Sequence, residues 1–388
     1  MSAPEANPAL GYSSSLPHDD RPNAEEERIS QATQLQLTWW RFRRHRLAVI
    51  SGVVVLLFYL VTVLADFLAT SDPHATNARR SFIPPQEIHL FDDGAFRPHV
   101  FGLTGRRDPR TFRLSYAPDA TRKLPITFFA KGYSYRFLGL FETERHLIGV
   151  QGRSNDVDGI FPLGTDQLGR DVWSRLMLAT RVSLLIGLAG VGLSFVLGVL
   201  LGGISGLYGG AVDSVIQRVI EVLHSIPTIP LWMGLAAALP PTWSTVQIYF
   251  AITLIISLIG WTDLARVVRG RFMALRGEDF VLAAELAGAS QTRIVLRHLL
   301  PSFTSHLIAS VTLALPAMII SETALSFLGL GLRPPAISWG ILLQDAQNVQ
   351  TLVLAPWLLV VAVPVIVAIL AFNFLGDGLR DAADPYGD

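Results

Sequence analysis

From Val182 to Val212 the chain runs for 31 residues without one charged side chain. Such a stretch has two places to go, a large apolar core or a lipid bilayer. A bilayer core about 30 Å thick asks for about 20 apolar helical residues, because each backbone amide in lipid must be satisfied within its own element. Leu47 to Ala65 is a second uncharged run, of 19 residues, and Val222 to Thr262 is a third that Pro240-Pro241-Thr242 divides like a tight hairpin turn. Leu299 to Ser321 and Val353 to Leu375 add two more. Together they exceed what one soluble core would bury. Across the 388 residues, 51% are hydrophobic and only 16% charged, where soluble domains carry about 25% charged residues. The fold class that follows is an all-α polytopic membrane protein with six transmembrane helices, at 47–69, 182–207, 215–239, 246–263, 303–321 and 353–375.

Basic flanks orient these spans. Arg41, Arg43, Arg44, His45 and Arg46 precede the first one, and its far side offers no basic residue before Arg79. By the positive-inside rule the N-terminus is cytoplasmic, and six crossings return the C-terminus to that side. Residues 263–298, with Arg266, Arg269, Arg271, Arg276, Arg293 and Arg297, then face the cytoplasm, whereas 322–352 holds only Arg333. The first apolar run lacks a small-residue cleavage site and is expected to stay as an anchor. Between the first two spans lie 112 residues, 70–181, enough for a small external domain. Its runs Arg113–Tyr116, Leu124–Ala130 and Tyr133–Leu140, parted by turn residues, predict a small β-rich insertion. Phe128, Phe129, Tyr133, Tyr135, Phe137 and Phe141 are read as its core rather than as a ligand surface.

With zero net charge there is no global electrostatic case for binding nucleic acid, and with no cysteine there are no disulfides or thiolate sites. No phosphate-cradling Gly-x-x-x-x-Gly-Lys-Ser/Thr motif occurs, and Lys123 and Lys131 are the only lysines. Gly187, Gly190, Gly192, Gly198, Gly202 and Gly203 sit inside a span, where Gly198-x-x-x-Gly202 suits close helix packing. Catalytic, metal and cofactor-binding residues are therefore expected to be none.

The segment from Glu278 to Pro301 is the most informative. Glu278 and Asp279 suit the positive end of a helix that continues from Phe280 to Ala287. Gly288 can end it, and Ser290 can cap a second helix carrying Arg293, Arg297 and His298 toward Leu300-Pro301. Small residues Ala283, Ala284, Ala287, Gly288 and Ala289, beside Glu285, let a partner approach the backbone. An amphipathic connector would look the same on physical grounds. Two other charge groups stand out. Asp166, Arg170, Asp171, Arg175 and Arg181 form a charged helix near the outer end of span 2, either a lattice of surface ion pairs or an element lying along the membrane. Asp213, Arg218, Glu221 and His224 start span 3, with Arg218 spaced to pair with Glu221 or Asp213. Glu322 marks the outer end of span 5. These last charges suit either a pathway or structural bracing.

The Glu278–Pro301 segment resembles the EAA loop of ABC transporter permeases: Glu-Ala-Ala, three residues, Gly, nine residues, Ile-x-Leu-Pro. Ala283-Ala284, Gly288, Leu300 and Pro301 keep the spacing, while Leu282 replaces the naming glutamate and His298 the isoleucine. Gly164-Thr165-Asp166-x-x-Gly-Arg-Asp-Val, Thr180-Arg181-Val182-Ser183-Leu184, Tyr208-Gly209-Gly210, and Ser326-Phe327-Leu328-Gly329-Leu330-Gly331 with Trp339-Gly340 resemble the dipeptide/oligopeptide branch, and within it the C-type subunit. The enlarged 70–159 loop is similar to that of the microcin C/long-peptide importer group.

The resemblance implies a type I ABC importer permease fold and a permease subunit, not an enzyme, that imports peptides or peptide-like solutes in the bacterial inner membrane. It implies as partners a homologous B-type permease subunit, two cytoplasmic ATPase subunits that hold the ATP and Mg, an external solute-binding protein, the solute and membrane lipid. On this reading 1–38 is a disordered cytoplasmic tail, 39–69 an interfacial anchor with transmembrane helix 1, and 70–181 an external loop domain with a gating helix. Residues 182–375 form the permease core, 263–302 its cytoplasmic coupling loop, and 376–388 a cytoplasmic tail. A secondary transporter would need an inverted repeat or intramembrane ion site, an integral-membrane enzyme a catalytic dyad, and a membrane scaffold or receptor only its external domain.

Overall fold

The structure, a computed structural model, describes residues 34–107, 109–110, 114–151 and 157–383. The tail read as disordered, 1–38, lies outside the described residues as far as 33; its last part belongs to a helix, α1 (Gln34–Arg44). His45 separates α1 from α2 (Arg46–Leu68), its Nδ1 accepting from the Ala48 amide at 3.1 Å. Ala48, Ser51, Val55, Thr62 and Ala65 form the buried stripe of α2, while Leu56, Leu57, Leu60 and Val63 stay exposed. Small residues inward and large apolar residues outward are what lipid on one side and helix on the other require.

The β-rich insertion follows. β1 (His89–Asp92), β2 (Ala95–Arg107), β3 (Leu114–Phe137) and β4 (Phe141–Val150) form one antiparallel sheet in chain order. His99 opposes Pro125 and Phe128 opposes Ile148, which brings Val100, Leu124, Ile126 and Ile160 into a buried cluster. His146 ties the sheet to the end of α2 through its Nδ1 and the Asp66 carbonyl, 2.9 Å. The aromatic set read as core divides: Tyr135 is buried, but Phe128, Phe129 and Phe141 are exposed. Phe129 has a φ of 53°, so the strand's alternation fails there and its ring lies against Phe67 of α2 instead.

α3 (Val172–Tyr208) is 37 residues long, about 56 Å at 1.5 Å per residue. It starts at Val172, not near 182, so the gating helix expected along the membrane is the first turns of α3. The expectation failed because Arg175 and Arg181 looked like a helix boundary, whereas both are neutralised in place: Arg175 reaches Asp345 at 3.1 Å and Arg181 reaches Asp66 at 2.5 Å. The third span is also different. It is two helices, α4 (Gly210–Ser225) and α5 (Thr228–Ala237), bent by 87°. A residue before proline avoids helical backbone, and Ile226, preceding Pro227, is extended at φ −94°, ψ 128°.

α6 (Thr245–Leu275) opens with a reciprocal cap between Ser244 and Gln247. It runs well past residue 263, so Arg266, Arg269 and Arg271 lie on a helix, not in a loop. After α7 (Asp279–Leu286) and α8 (Gln291–Ile294) comes α9 (Thr304–Phe327), with Pro316 inside it. α10 (Trp339–Ala346), α11 (Val349–Leu354) and a 3₁₀ turn at Pro356–Val361 lead to α12 (Ala362–Ala383). The expected tail 376–388 is thus helical to Ala383, and 384–388 lies outside the described residues.

Among the described residues five helices are long and apolar enough to cross a membrane, or six if α4 and α5 count as one span. The chain is a multi-pass, all-α membrane protein with a small unclosed β-sheet insertion. α3 and α6 are its axis. A Cβ on Gly198 would lie 2.9 Å from Leu264, one on Gly202 would meet the Ala265 backbone, and one on Gly206 would lie 2.9 Å from the Arg269 carbonyl oxygen. Glycine at every fourth position therefore lets the two backbones touch. The contact of Gly203 and Gly206 with Phe272 sets the ends of α3 and α6 beside α7, while the start of α3 is bonded through Ser174 to Thr70, just past the end of α2 that His146 ties to the sheet. The sheet and the 278–301 segment occupy opposite ends of the bundle.

Candidate functional site

α7 begins at Glu278, which is its N-cap, with Asp279 in the first turn. Its end is a Schellman motif. The Gly288 amide donates to Glu285 O at 2.9 Å and the Ala289 amide to Ala284 O at 3.0 Å. Gly288 has a φ of 78°, in the left-handed region that glycine adopts without Cβ strain, and the space where a Cβ would sit is open. Ser290 then caps α8 by accepting from the Arg293 amide at 3.4 Å. A wide π turn at Val295–Leu299, carrying Arg297 and His298, and a short turn at Leu300–Ser302 with Pro301 join α8 to α9.

One face of this segment is seated on the bundle. Val281, Ile294, Leu299, Phe303 and Leu307 are buried together with Val268 and Phe272 of α6, and Ala284, Ala289 and Leu300 pack against them. The other face is open. Glu278, Asp279, Ala283, Glu285, Gly288, Arg293 and Arg297 are exposed, and among them stand Phe280, Leu282, Leu286 and Leu296. Leu286 is 91% exposed, an apolar side chain that the fold itself leaves uncovered. Sequence reasoning did not single out Phe280, Leu286 and Leu296, which stand on this open face. The signal was partial: Phe280, Val281 and Leu282 are consecutive and cannot all face one side of a helix, but the sequence does not say which of them the bundle covers.

The charges expected to gate or brace fall into three groups. Near the sheet, Arg170 bonds Asp166 at 2.6 Å and Asp345 at 3.1 Å, and Arg175 shares Asp345. The four side chains tie α3 to α10, and Arg175 and Asp166 are nearly inaccessible, so this is no surface lattice. Burial pushes the Asp345 carboxyl up, and Arg175 and Arg170 oppose that shift. Asp171 caps α3 through the Trp173 and Ser174 amides and accepts from the Thr70 hydroxyl at 2.7 Å; burial raises its carboxyl as well. Arg181, already paired with Asp66, holds α2. Replacing Arg175 with Ala leaves Asp166 and Asp345 sharing the single guanidinium of Arg170. We expect a loss of about 2–3 kcal/mol, below the 3–5 of a fully buried pair because Asp345 stays partly exposed, read as a lowered thermal midpoint of the purified chain.

At the opposite end, Asp213 is gripped by Arg269 through two bonds of 2.5 and 2.6 Å and by the Ser205 hydroxyl, joining α3, α4 and α6. Arg218 pairs with Glu221 at 2.8 Å on an exposed surface, not with Asp213. His224 bonds the Thr262 hydroxyl at 2.9 Å. Glu322 is fully buried within α9. It accepts from Ser183 at 3.0 Å and Ser326 at 2.8 Å, and those hydroxyls accept from the Trp339 and Leu332 amides. The carboxylate therefore links α9 to α3 and α10. Among the described residues no group of three or more His, Cys, Asp or Glu is placed to hold a metal ion.

The profile described as binding-protein-dependent transport system inner membrane component matches residues 198–386, and that of the N-terminal TM domain of oligopeptide transport permease C matches 33–85. The dipeptide transport system permease protein DppC of Bacillus subtilis is 35% identical over 286 residues, covering 70% of this chain and 86% of that protein. The chain belongs to the OppC/DppC family of ABC permease C-subunits. Another OppC/DppC relative, the dipeptide transport system permease protein DppC of Lactococcus lactis, is 30% identical over 352 residues, 90% of each chain. Among solved structures, a chain of the MetNI methionine ABC transporter in inward-facing conformations is similar at 19% identity, covering 55% of this chain and 97% of that one, with a TM-score of 0.43. The OppC/DppC assignment rests on the sequence matches, not on that likeness.

Proposed function

We propose that this chain is the C-type membrane subunit of an ATP-driven importer of peptides or peptide-like solutes in a bacterial inner membrane. Its partners are a homologous B-type permease subunit, two cytoplasmic ATPases that bind ATP and Mg, and an external solute-binding protein. Both termini face the cytoplasm and the sheet faces outward. Within this family the enlarged outer region points to the microcin C/long-peptide group. The observation that carries the coupling role is the two-faced segment 278–301: seated on α6 and α9 by Val281, Ile294 and Leu299, and exposing Leu286. An ATPase that grips the exposed face moves α6 and α9 together, and alternating access follows as a shift between two packings of the bundle. The chain does no covalent chemistry.

The absence of cysteine makes the test clean. Leu286→Cys, introduced alone, should crosslink to an ATPase subunit in the assembled complex, with a yield that changes between nucleotide-free and ATP-bound states. Solute delivered by the binding protein should stimulate ATP hydrolysis. Crosslinking from outside the cell, or to no ATPase in any nucleotide state, would overturn the assignment.

A further inference from the structure

A cavity of about 470 Å³ opens between α3, α5, α6 and α9. Two hydrogen-bond donors in its wall have no partner: the Ser194 hydroxyl, on a residue only 4% exposed, and the Trp232 indole N–H. Buried donors are ordinarily paired, because leaving one unpaired forfeits its hydration without return. Here two of them, on different helices, share one space. Gly260 keeps that space free, since a Cβ there would lie 2.7 Å from Ser194 Oγ.

The surroundings narrow the ligand. Thr228 opens α5 at the sharp break, where Pro227 gives no side-chain cap, and Trp232 follows one turn later on the same helix face. This end of α5 therefore favours oxygen acceptors and negative charge. Asp263 lines the same cavity from α6 with its carboxylate 85% exposed and His224 3.8 Å away. On α9 the wall is Ser310, Ala314, Ala317 and Ser321, with the larger apolar Leu313 and Met318 among them.

We infer that this cavity is a subsite for the main chain of a transported peptide, with Ser194 and Trp232 donating to its carbonyl or carboxylate oxygens and Asp263 receiving its free ammonium group. The inference rests on the peptide-import reading and adds to it the groups that are read. Recognition through main-chain atoms makes no demand on the peptide's side chains.

The test uses the complete importer in proteoliposomes, with trialanine and N-acetyl-trialanine as probes. Trp232→Phe and Ser194→Ala should each raise the KM for trialanine by about 3- to 10-fold, the worth of one neutral hydrogen bond. Asp263→Asn should weaken uptake of trialanine by about 10-fold while sparing the acetylated peptide, so that the two become equivalent. Wild-type KM values in all three variants, or equal losses for both peptides in Asp263→Asn, would overturn the subsite and leave the importer assignment standing. Wild-type complex that ignores trialanine but imports a solute of another class would overturn the peptide reading, and the subsite with it.

Discussion

Gly288→Asp should reduce solute uptake by at least ten-fold while the chain still inserts in the membrane. The position has a φ of 78°, and nothing lies within 4 Å of where a Cβ would project, so no side chain in the bundle has to move. The cost is local. A side chain in left-handed backbone costs about 1–2 kcal/mol, somewhat less for Asp, and a negative charge at a helix C-terminus adds about 0.3–1. Two hydrogen bonds, from the Gly288 and Ala289 amides, hold the bend between α7 and α8. When the bend relaxes, Leu286 no longer stands where an ATPase groove would meet it. Gly288→Ala, uncharged, should show a smaller loss in the same direction. The measurement is uptake alongside co-purification of the ATPases; normal uptake with normal attachment in Gly288→Asp would remove 278–301 from the coupling role.

Gly202→Val should be the most damaging single change in the bundle. Even a bare Cβ at that position would stand 2.8 Å from the Ala265 Cα, and backbone cannot rotate away as a side chain can. Overpacking of cores costs about 1–3 kcal/mol where neighbours can yield; here α3 and α6 must separate along their whole contact, so we expect the upper end or loss of the folded protein. Expression in the membrane and thermal stability in detergent would show it. Gly192→Val, on the same helix with open space around its Cβ position, should be tolerated, and equal behaviour of the two variants would refute the backbone-contact account.

The spans, the sheet and the cap at Gly288 were legible because each depends on local chemistry: charge-free length, alternation with turn residues, and a glycine followed by a capping serine. What was illegible depended on partners far away in the chain. Arg175 and Arg181 read as the end of a membrane span until Asp345 and Asp66 are seen beside them. Pro227 was in plain view within the third span, yet a proline alone does not say whether neighbours will straighten the helix or let it break. Phe128 and Phe129 followed a strand-core pattern that the left-handed backbone at Phe129 undid. In the loop, burial of Val281 with exposure of Leu282 and Leu286 required knowing which face α6 occupies.

The length of α3 has one more consequence. Its first turns are bonded to α10 through Arg175, and its last residues, through Ser205, meet the Asp213–Arg269 pair beside the seat of α7. A single unbroken rod thus carries fixed attachments at both water-facing ends, and neither end can pivot without swinging the other. On the proposed import function, news of an arriving solute and the stroke of a nucleotide engine would travel on the same lever arm.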